Sequence, residues 1–326
     1  MTSHRQLKVL VFANVATFAV AALWSGGQFF GIDNLQSMAG QIPEIGLLAI
    51  GVALAMISGN GGIDLSGIAL ANLAGVVAAL ATPYVLHVDT GQASYATAFI
   101  GITLTTGTLG GVLNGFLIAK VKLTPILATL GTQMLFTGMA IVLTNGSAVR
   151  IGYVEPLIAL GNETLLGVPI TFLIFLMAVV GVGWILRRTP YGVRLYLMGT
   201  NPKAARYAGI SQVRMLFITY GMCGLLAASA GMLIASRTAS AKWDYGSSYL
   251  LMAILIAVMS GVKPSGGHGR ISCLFFSATA LQMLSSTFNL AGVSTFFGEC
   301  MWGLLLLLFA SSSSFDGERW WRSRIG

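Results

Sequence analysis

The feature that most constrains this chain is a series of long apolar stretches separated by short breaks, of which every second one is basic. A helix needs about 20 apolar residues to cross the hydrocarbon core of a bilayer. The composition agrees, because only 9% of the residues are charged, against roughly 25% in soluble domains. We therefore predict an all-α integral membrane protein with about ten transmembrane helices. The predicted spans are 9–25, 36–58, 64–86, 95–119, 124–144, 167–186, 213–236, 248–262, 270–288 and 293–311.

The basic residues predict which side of the membrane each break occupies. If the N-terminus is cytoplasmic, all of the 18 Lys and Arg residues except Arg150, Arg237 and Lys242 fall in cytoplasmic segments. The positive-inside rule favours that orientation. An even number of spans then makes the C-terminus cytoplasmic as well. We predict one transmembrane domain over residues 1–326, with its largest cytoplasmic segment at about 187–214.

The first span has a second interpretation. Arg5 and Lys8 precede the apolar run 9–24, as they would in a cleaved signal peptide. We favour a retained helix, because no clear small-x-small cleavage site follows the run.

The sequence lacks the features that are typical of nucleic-acid-binding proteins, enzymes, metalloproteins and ATP-binding proteins. The net charge of +8 is spread over loops that flank the membrane, so we predict no nucleic-acid partner. The three histidines are scattered over different loops, and no span holds paired carboxylates, so we predict no catalytic residues, no metal and no enzyme activity. A Gly-x-x-x-x-Gly-Lys-Ser/Thr loop is also absent from the sequence, so we predict that this chain binds no ATP by that route and holds no cofactor.

A glycine-rich segment, 59–67, interrupts the apolar region between the second and third predicted spans. Its backbone groups cannot all be satisfied by a helix, which is tolerable in a membrane only where protein or water surrounds them. One interpretation is a tight turn in which Asp64 caps the next helix. The other is a broken helix that lines a solute path and exposes Asn60, Asp64 or Ser66 to it.

Other polar residues within the predicted spans allow the same two interpretations. Asn114 and Gln133 could hydrogen-bond the hydroxyls of a solute, or could hold helices together. Carboxylates inside membranes are costly and often functional, which makes Glu44 and Glu299 candidates. Glu299 could instead face water or pair with a neighbouring polar group. For the glycines at 107, 111 and 115, which share one helix face, we predict tight packing within the chain rather than a dimer interface.

The segment 187–214 contains the signals of a short helix outside the bilayer. Asn201 suits the N-cap, Pro202 the first helical position and Gly209 the end, so about two turns are predicted. The small residues Ala204, Ala205 and Ala208 could form a face for a protein partner. A solvated basic loop is the alternative.

Four motifs, in order, resemble one family over roughly residues 40–310. Gly-Thr-Asn-Pro-Lys-Ala-Ala-Arg-Tyr-Ala-Gly-Ile at 199–210 is similar to the coupling loop of permease subunits of ATP-binding-cassette (ABC) importers for ribose, xylose, autoinducer 2 and related sugars. Gly-Gly-Ile-Asp-Leu-Ser at 61–66, Asn-Gly-Phe at 114–116 with the run 124–131, and the glycine-rich 260–269 resemble the same family. The chain departs from its pattern at 67–69, at Lys263-Pro264 and at Ser272-Cys273.

The resemblance implies a permease subunit in a bacterial inner membrane that translocates a monosaccharide or related polyol. It implies three protein partners: a separate, tandem ATPase that carries ATP and Mg, a second permease that is identical or homologous, and a periplasmic sugar-binding protein. The residues implied in ATPase coupling are Asn201, Pro202, Lys203, Ala204, Ala205, Arg206, Gly209 and Ile210. The residues proposed for the translocation path are Asn60, Asp64, Ser66, Asn114, Gln133 and Glu299.

Two alternatives stay open at this point. One is an ABC permease for another small solute, a nucleoside or a branched-chain amino acid. The other is a secondary transporter driven by protons or sodium, although such a protein would need several carboxylates or unwound carbonyl sites at mid-membrane.

Overall fold

The computed structural model describes residues 3–24, 27–86 and 91–314. The basic C-terminal tail, which the sequence predicts to be cytoplasmic, lies outside these ranges. The described part is mostly helical, and loops, four two-residue strands and one 3₁₀ turn, Gln28–Phe30, connect the helices. The helices are α1 Ser3–Trp24, α2 Ile32–Ile57, α3 Gly67–Val85, α4 Gln92–Ala119, α5 Pro125–Thr144, α6 Glu155–Asn162, α7 Ile170–Arg188, α8 Pro190–Thr200, α9 Pro202–Tyr207, α10 Gln212–Thr238, α11 Tyr249–Met259, α12 Ile271–Leu290 and α13 Thr295–Ser314. The strands are β1 Val149–Arg150, β2 Thr164–Leu165, β3 Val168–Pro169 and β4 Ser240–Ala241.

Seven of the described helices are long and apolar enough to cross a membrane, namely α2, α3, α4, α5, α7, α10 and α12. They confirm a mostly helical protein with many candidate spans. The remaining three predicted spans, 9–25, 248–262 and 293–311, coincide with α1, α11 and α13, whose apolar parts are shorter. The count of about ten spans therefore stays a prediction.

Helix α11 corrects the predicted span 248–262. It contains 11 residues, which at 1.5 Å per residue span about 16 Å, roughly half of the hydrocarbon core. Gly246 and Gly261 both have positive φ, at 62° and 80°, and turn the backbone on either side of the helix. Residues 260–270 continue without helix, so this segment is a half-length helix and a long loop.

Helix α10 is the centre of the fold and packs against α4, α2 and α3. Its closest neighbour is α4, because glycines on both helices let the backbones approach. A methyl group at Gly107 would overlap Ala228, and one at Gly111 would overlap the Tyr220 carbonyl. Gly115 also faces α10, where an added Cβ would lie 3.0 Å from the Phe217 Cα. The predicted packing of these glycines within the chain is confirmed.

Segments predicted on the same side of the membrane contact each other. At one end, β1 pairs antiparallel with β4, which brings Arg150 opposite Ser240. The Trp243 indole also donates to the Gly146 carbonyl over 3.2 Å at this end. At the other end, the loop after α2 meets the end of α8 and the loop before α12, where the Gly267 N–H donates to the Ile57 carbonyl over 3.0 Å.

Candidate functional site

The loop between α2 and α3, residues 58–66, is called the aspartate loop here. Gly59, Asn60 and Gly61 have φ values of 85°, 58° and 69°, so three successive residues adopt the left-handed conformation. Glycine enters this region without steric cost, and asparagine tolerates it better than most residues. This run ends α2 sharply and turns the chain back toward α3.

A buried polar network joins the aspartate loop to α4 and α5. The Asp64 Oδ1 accepts from the Ser66 N–H at 3.0 Å and from its hydroxyl at 2.7 Å. The Asn114 amide N–H donates to Ser66 Oγ at 2.8 Å, and its carbonyl accepts from the Thr132 hydroxyl at 2.6 Å. All four side chains are buried. The structure thus brings together three of the predicted path residues: Asp64, Ser66 and Asn114.

In this conformation, the Asp64 side chain accepts hydrogen bonds from its own loop. Helix α3 begins at Gly67, and its N-cap, Ser66, makes no side-chain cap bond. Asp64 binds the N–H of Ser66, one residue before the helix, so it fixes the approach to α3 rather than the first turn. Asp64 is 3% exposed and borders a cavity of about 10 Å³, which has room for one water molecule at most.

The other predicted path residues lie outside this network. Asn60 is exposed at the tip of the aspartate loop, and Gln133 is half-buried on α5. Glu299 is exposed on α13 and accepts a hydrogen bond of 2.6 Å from the Ser248 hydroxyl, before α11. Glu299 therefore pairs with a neighbouring polar group, one of the two alternatives that the sequence allowed.

Thr132 is a network member that sequence reasoning missed. It lies one turn after Thr129, whose hydroxyl donates to the Ile63 carbonyl of the aspartate loop over 3.0 Å. The available signal was a pair of threonines three residues apart, which places both on one face of α5.

An ion pair forms a second polar cluster, between α2, α10 and α11. Arg237 Nη1 lies 3.0 Å from Glu44 Oε1, and the Tyr249 hydroxyl donates to Glu44 Oε2 over 3.0 Å. Glu44 is buried, whereas the Arg237 side chain is 34% exposed. The sequence offered a signal for this pair, since each is a lone charge near the outer end of an apolar span.

A small cavity lies beside this cluster, between α2, α11, α12 and α13. It measures about 90 Å³, and its wall includes Gln41 and Gln282, whose amides hydrogen-bond over 3.0 Å. Ligand pockets in proteins are typically about 300–1,000 Å³. This cavity is therefore smaller than a typical ligand pocket in this conformation.

Helix α9 matches the prediction made for it. The Asn201 side chain accepts from the N–H groups of Lys203 and Ala204 at 3.1 and 3.0 Å, Pro202 is the first helical residue, and Gly209 turns the chain out with φ of 77°. The N-cap, start and end of this short helix are confirmed.

The faces of α9 differ from the predicted small-residue surface. Ala205 is 3% exposed and packs into the core, where it anchors the helix to the chain. The outward face instead carries Ala204, Ala208 and Tyr207, the last of which is 93% exposed. Gln212 supports the helix from α10, because its amide donates to the Pro202 carbonyl over 2.8 Å.

Four glycines from three segments meet at the end of α8, and we call this contact the glycine junction: Gly59, Gly199, Gly266 and Gly267. A Cβ at Gly59 would lie 2.8 Å from Gly199, and one at Gly199 would lie 2.5 Å from the Gly267 nitrogen. The three segments therefore touch backbone to backbone. The junction joins the end of α8, two residues before α9, to the aspartate loop and to the glycine-rich loop before α12.

The environment of α8 explains how the glycine-rich loop is held. The Tyr196 hydroxyl donates to the Gly269 carbonyl over 2.8 Å. Burial raises the pKa of Tyr196, and the nearby Arg187 and Arg270 oppose that rise. The hydroxyl therefore stays protonated and remains a donor at neutral pH. Within the described residues, no group of three or more His, Cys, Asp or Glu side chains could hold a metal ion.

Fold and site together define a multi-pass membrane protein with a short helix attached to its core by a glycine contact. The chain belongs to the family described as branched-chain amino acid transport system / permease component, whose model matches residues 34–310. It is similar to the ribose import permease protein RbsC of Bacillus subtilis (strain 168), 35% identical over 276 residues that cover 84% of this chain and 83% of the relative.

Two further relatives carry related names. The ribose import permease protein RbsC of Escherichia coli (strain K12) is 32% identical over 86% of this chain and 85% of its own. The autoinducer 2 import system permease protein LsrD of Photorhabdus luminescens is 30% identical over 93% of this chain and 88% of its own. No solved structure matches the chain.

Proposed function

We propose that this chain is the membrane-spanning permease subunit of an ABC importer, and that it translocates a monosaccharide or related polyol delivered by a periplasmic binding protein. ATP and Mg bind to a separate ATPase, which docks on α9. A second permease, identical or homologous, completes the path.

The glycine junction is the observation that carries this proposal. A permease without its own ATP site needs a rigid connection from the ATPase to its core. Helix α9 is capped at both ends, and Gly199 lies three residues before its first residue in direct contact with Gly59 and Gly267. A displacement of α9 would move the aspartate loop, because backbones in van der Waals contact cannot interpenetrate.

The orientation belongs to the proposal as well. With α9 in the cytoplasm, the glycine junction lies at the cytoplasmic end and the β1–β4 pair at the periplasmic end. Segments that the sequence predicts on the same side of the membrane contact each other, and these contacts support the arrangement. Ten spans follow if α1, α11 with its flanking loops, and α13 each cross the membrane.

The relatives support a sugar rather than an amino acid. The family description names branched-chain amino acids, but the similar proteins above are named for ribose and autoinducer 2. An ion-driven mechanism has less support, because the buried Glu44 is paired with Arg237 and Glu299 is exposed.

The coupling assignment is tested at Ala204, which is exposed on α9. We expect Ala204→Arg to leave the amount and thermal stability of the chain unchanged, while it abolishes co-purification of the ATPase and uptake of ribose. Ala205 is unsuitable, because an arginine there would disrupt the core. Tyr153→Arg is the matched control, since Tyr153 is 74% exposed at the opposite end and should keep the ATPase bound. Normal ATPase binding and uptake in Ala204→Arg would contradict the assignment.

A further inference from the structure

An open groove of about 1300 Å³ lies where α7 ends, between α8, the glycine-rich loop and the start of α12. Four basic side chains line it: Arg187, Arg188, Lys263 and Arg270. No carboxylate is among its lining residues in the described part of the chain. The groove is separate from the buried polar network and from the exposed face of α9.

Among the described residues, neither Arg187 nor Arg270 forms an ion pair. Arg187 donates to the neutral Ser272 hydroxyl over 3.4 Å. Both arginines line the same groove, and Ser272, which accepts the bond from Arg187, lies two residues after Arg270. Like charges held together without a counter-charge repel each other, so an anion between them would lower the energy.

The wall of the groove that leads into the membrane is apolar. Val180 and Trp184 line it from α7 and are 63% and 62% exposed, and Met177 extends the same helix face by one turn at 66%. Helix α7 is one of the seven helices able to cross a membrane. An exposed apolar stripe on such a helix faces lipid chains, and tryptophan is favoured where the chains meet the headgroups.

We propose that this groove binds an anionic phospholipid of the inner leaflet, with its phosphate between Arg187 and Arg270 and its acyl chains along Val180 and Trp184. Basic pockets beside membrane helices on the cytoplasmic side are suited to such headgroups. A free phosphate compound would use the arginines but not the apolar wall, which favours the lipid. The proposal goes beyond the transport function, and only the choice of the inner leaflet rests on the orientation proposed above.

Binding would also have a consequence for the glycine junction. The floor of the groove contains Gly267 and Gly269, and Gly267 belongs to the junction. The lipid would therefore hold the loop that contacts Gly199, next to α9.

The test uses the purified full chain in neutral detergent, with phosphatidylglycerol or phosphatidylcholine of identical acyl chains added. We expect native mass spectrometry to show at least tenfold preference for phosphatidylglycerol, and the thermal midpoint to rise with that lipid alone. The double variant Arg187→Gln/Arg270→Gln should lose both effects. The matched control Arg194→Gln/Arg214→Gln removes the same charge from exposed positions outside the groove and should keep both.

A second variant tests the proposal independently if Arg187→Gln/Arg270→Gln fails to fold. Ser272→Asp keeps both arginines and places a carboxylate beside Arg187, where it would pair with that guanidinium in place of a phosphate. Ser272 is in the first turn of α12, where a negative charge favours the helix, so this variant should fold. It should also lose the preference for phosphatidylglycerol.

Three results would overturn the proposal. The first is a preference that persists in Arg187→Gln/Arg270→Gln or in Ser272→Asp. The second is equal stabilisation by inorganic phosphate or glycerol phosphate, which indicates a site for free phosphate. The third is no preference in the unmodified chain, as expected if a second copy of the chain covers the groove.

Discussion

Asn114 is the residue on which the buried polar network depends, because it uses both ends of its amide. It donates to Ser66 in the aspartate loop and accepts from Thr132 on α5. The structure thus holds together the aspartate loop, α4 and α5 through one side chain.

We expect Asn114→Leu to lower the free energy of unfolding by roughly 0.6–2 kcal/mol, because a similar volume is kept while two buried hydrogen bonds are lost. The measurement is the thermal unfolding midpoint in detergent. Gln133→Leu is the control, since Gln133 has no bond to the network, and its effect should stay within about 0.5 kcal/mol. Equal midpoints for the two variants would show that the network adds no stability.

Individual contacts were the least predictable part of the molecule. The sequence indicated Asp64, Ser66 and Asn114 as polar groups within an apolar region, but not their partners. Hydrogen bonds such as Asn114 to Ser66 join residues 48 positions apart, and no local pattern encodes that pairing. The prediction that Ala205 lies on an exposed face was wrong for another reason. Small residues on a six-residue helix do not show which side of that helix packs against the core.

At the scale of elements, local signals predicted most boundaries well. The cap at Asn201 and the turn at Gly209 fixed α9 to within a residue or two, because capping chemistry is local. The lengths of the apolar stretches likewise predicted the seven long helices, because hydropathy is also a local property of the sequence. The prediction failed for 248–262, where hydropathy alone cannot distinguish a full crossing from a short helix with a loop.

The glycine junction gives a prediction for how elements connect. We expect Gly199→Ala to lower stability by about 1–3 kcal/mol and to abolish uptake of the transported sugar, because its Cβ would overlap the Ile57 carbonyl. Gly181→Ala is the control on α7, where nothing lies within 4 Å of the added methyl group. The readouts are the thermal midpoint and uptake by cells that express the complete importer. Full uptake in Gly199→Ala would exclude a tight junction.

At the scale of the whole molecule, the orientation predicted from basic residues awaits its own test. Cys223 and Cys273 are buried and Cys300 is exposed, so Cys300→Ser provides a background with little labelling. On it, Tyr153→Cys should react with a membrane-impermeant maleimide in intact spheroplasts. Tyr207→Cys should react only after permeabilisation. Labelling of Tyr207→Cys from outside would reverse the orientation and remove α9 from the reach of an ATPase.

The most direct test of the central claim, a conduit driven by a separate ATPase through α9, is ribose uptake into proteoliposomes. The vesicles contain the purified chain and its second permease where that is a different protein, with or without the ATPase, and binding protein and ribose are outside. We predict uptake only when the ATPase and ATP are both present, and none from the chain alone. Uptake by the chain without any ATPase would contradict the account.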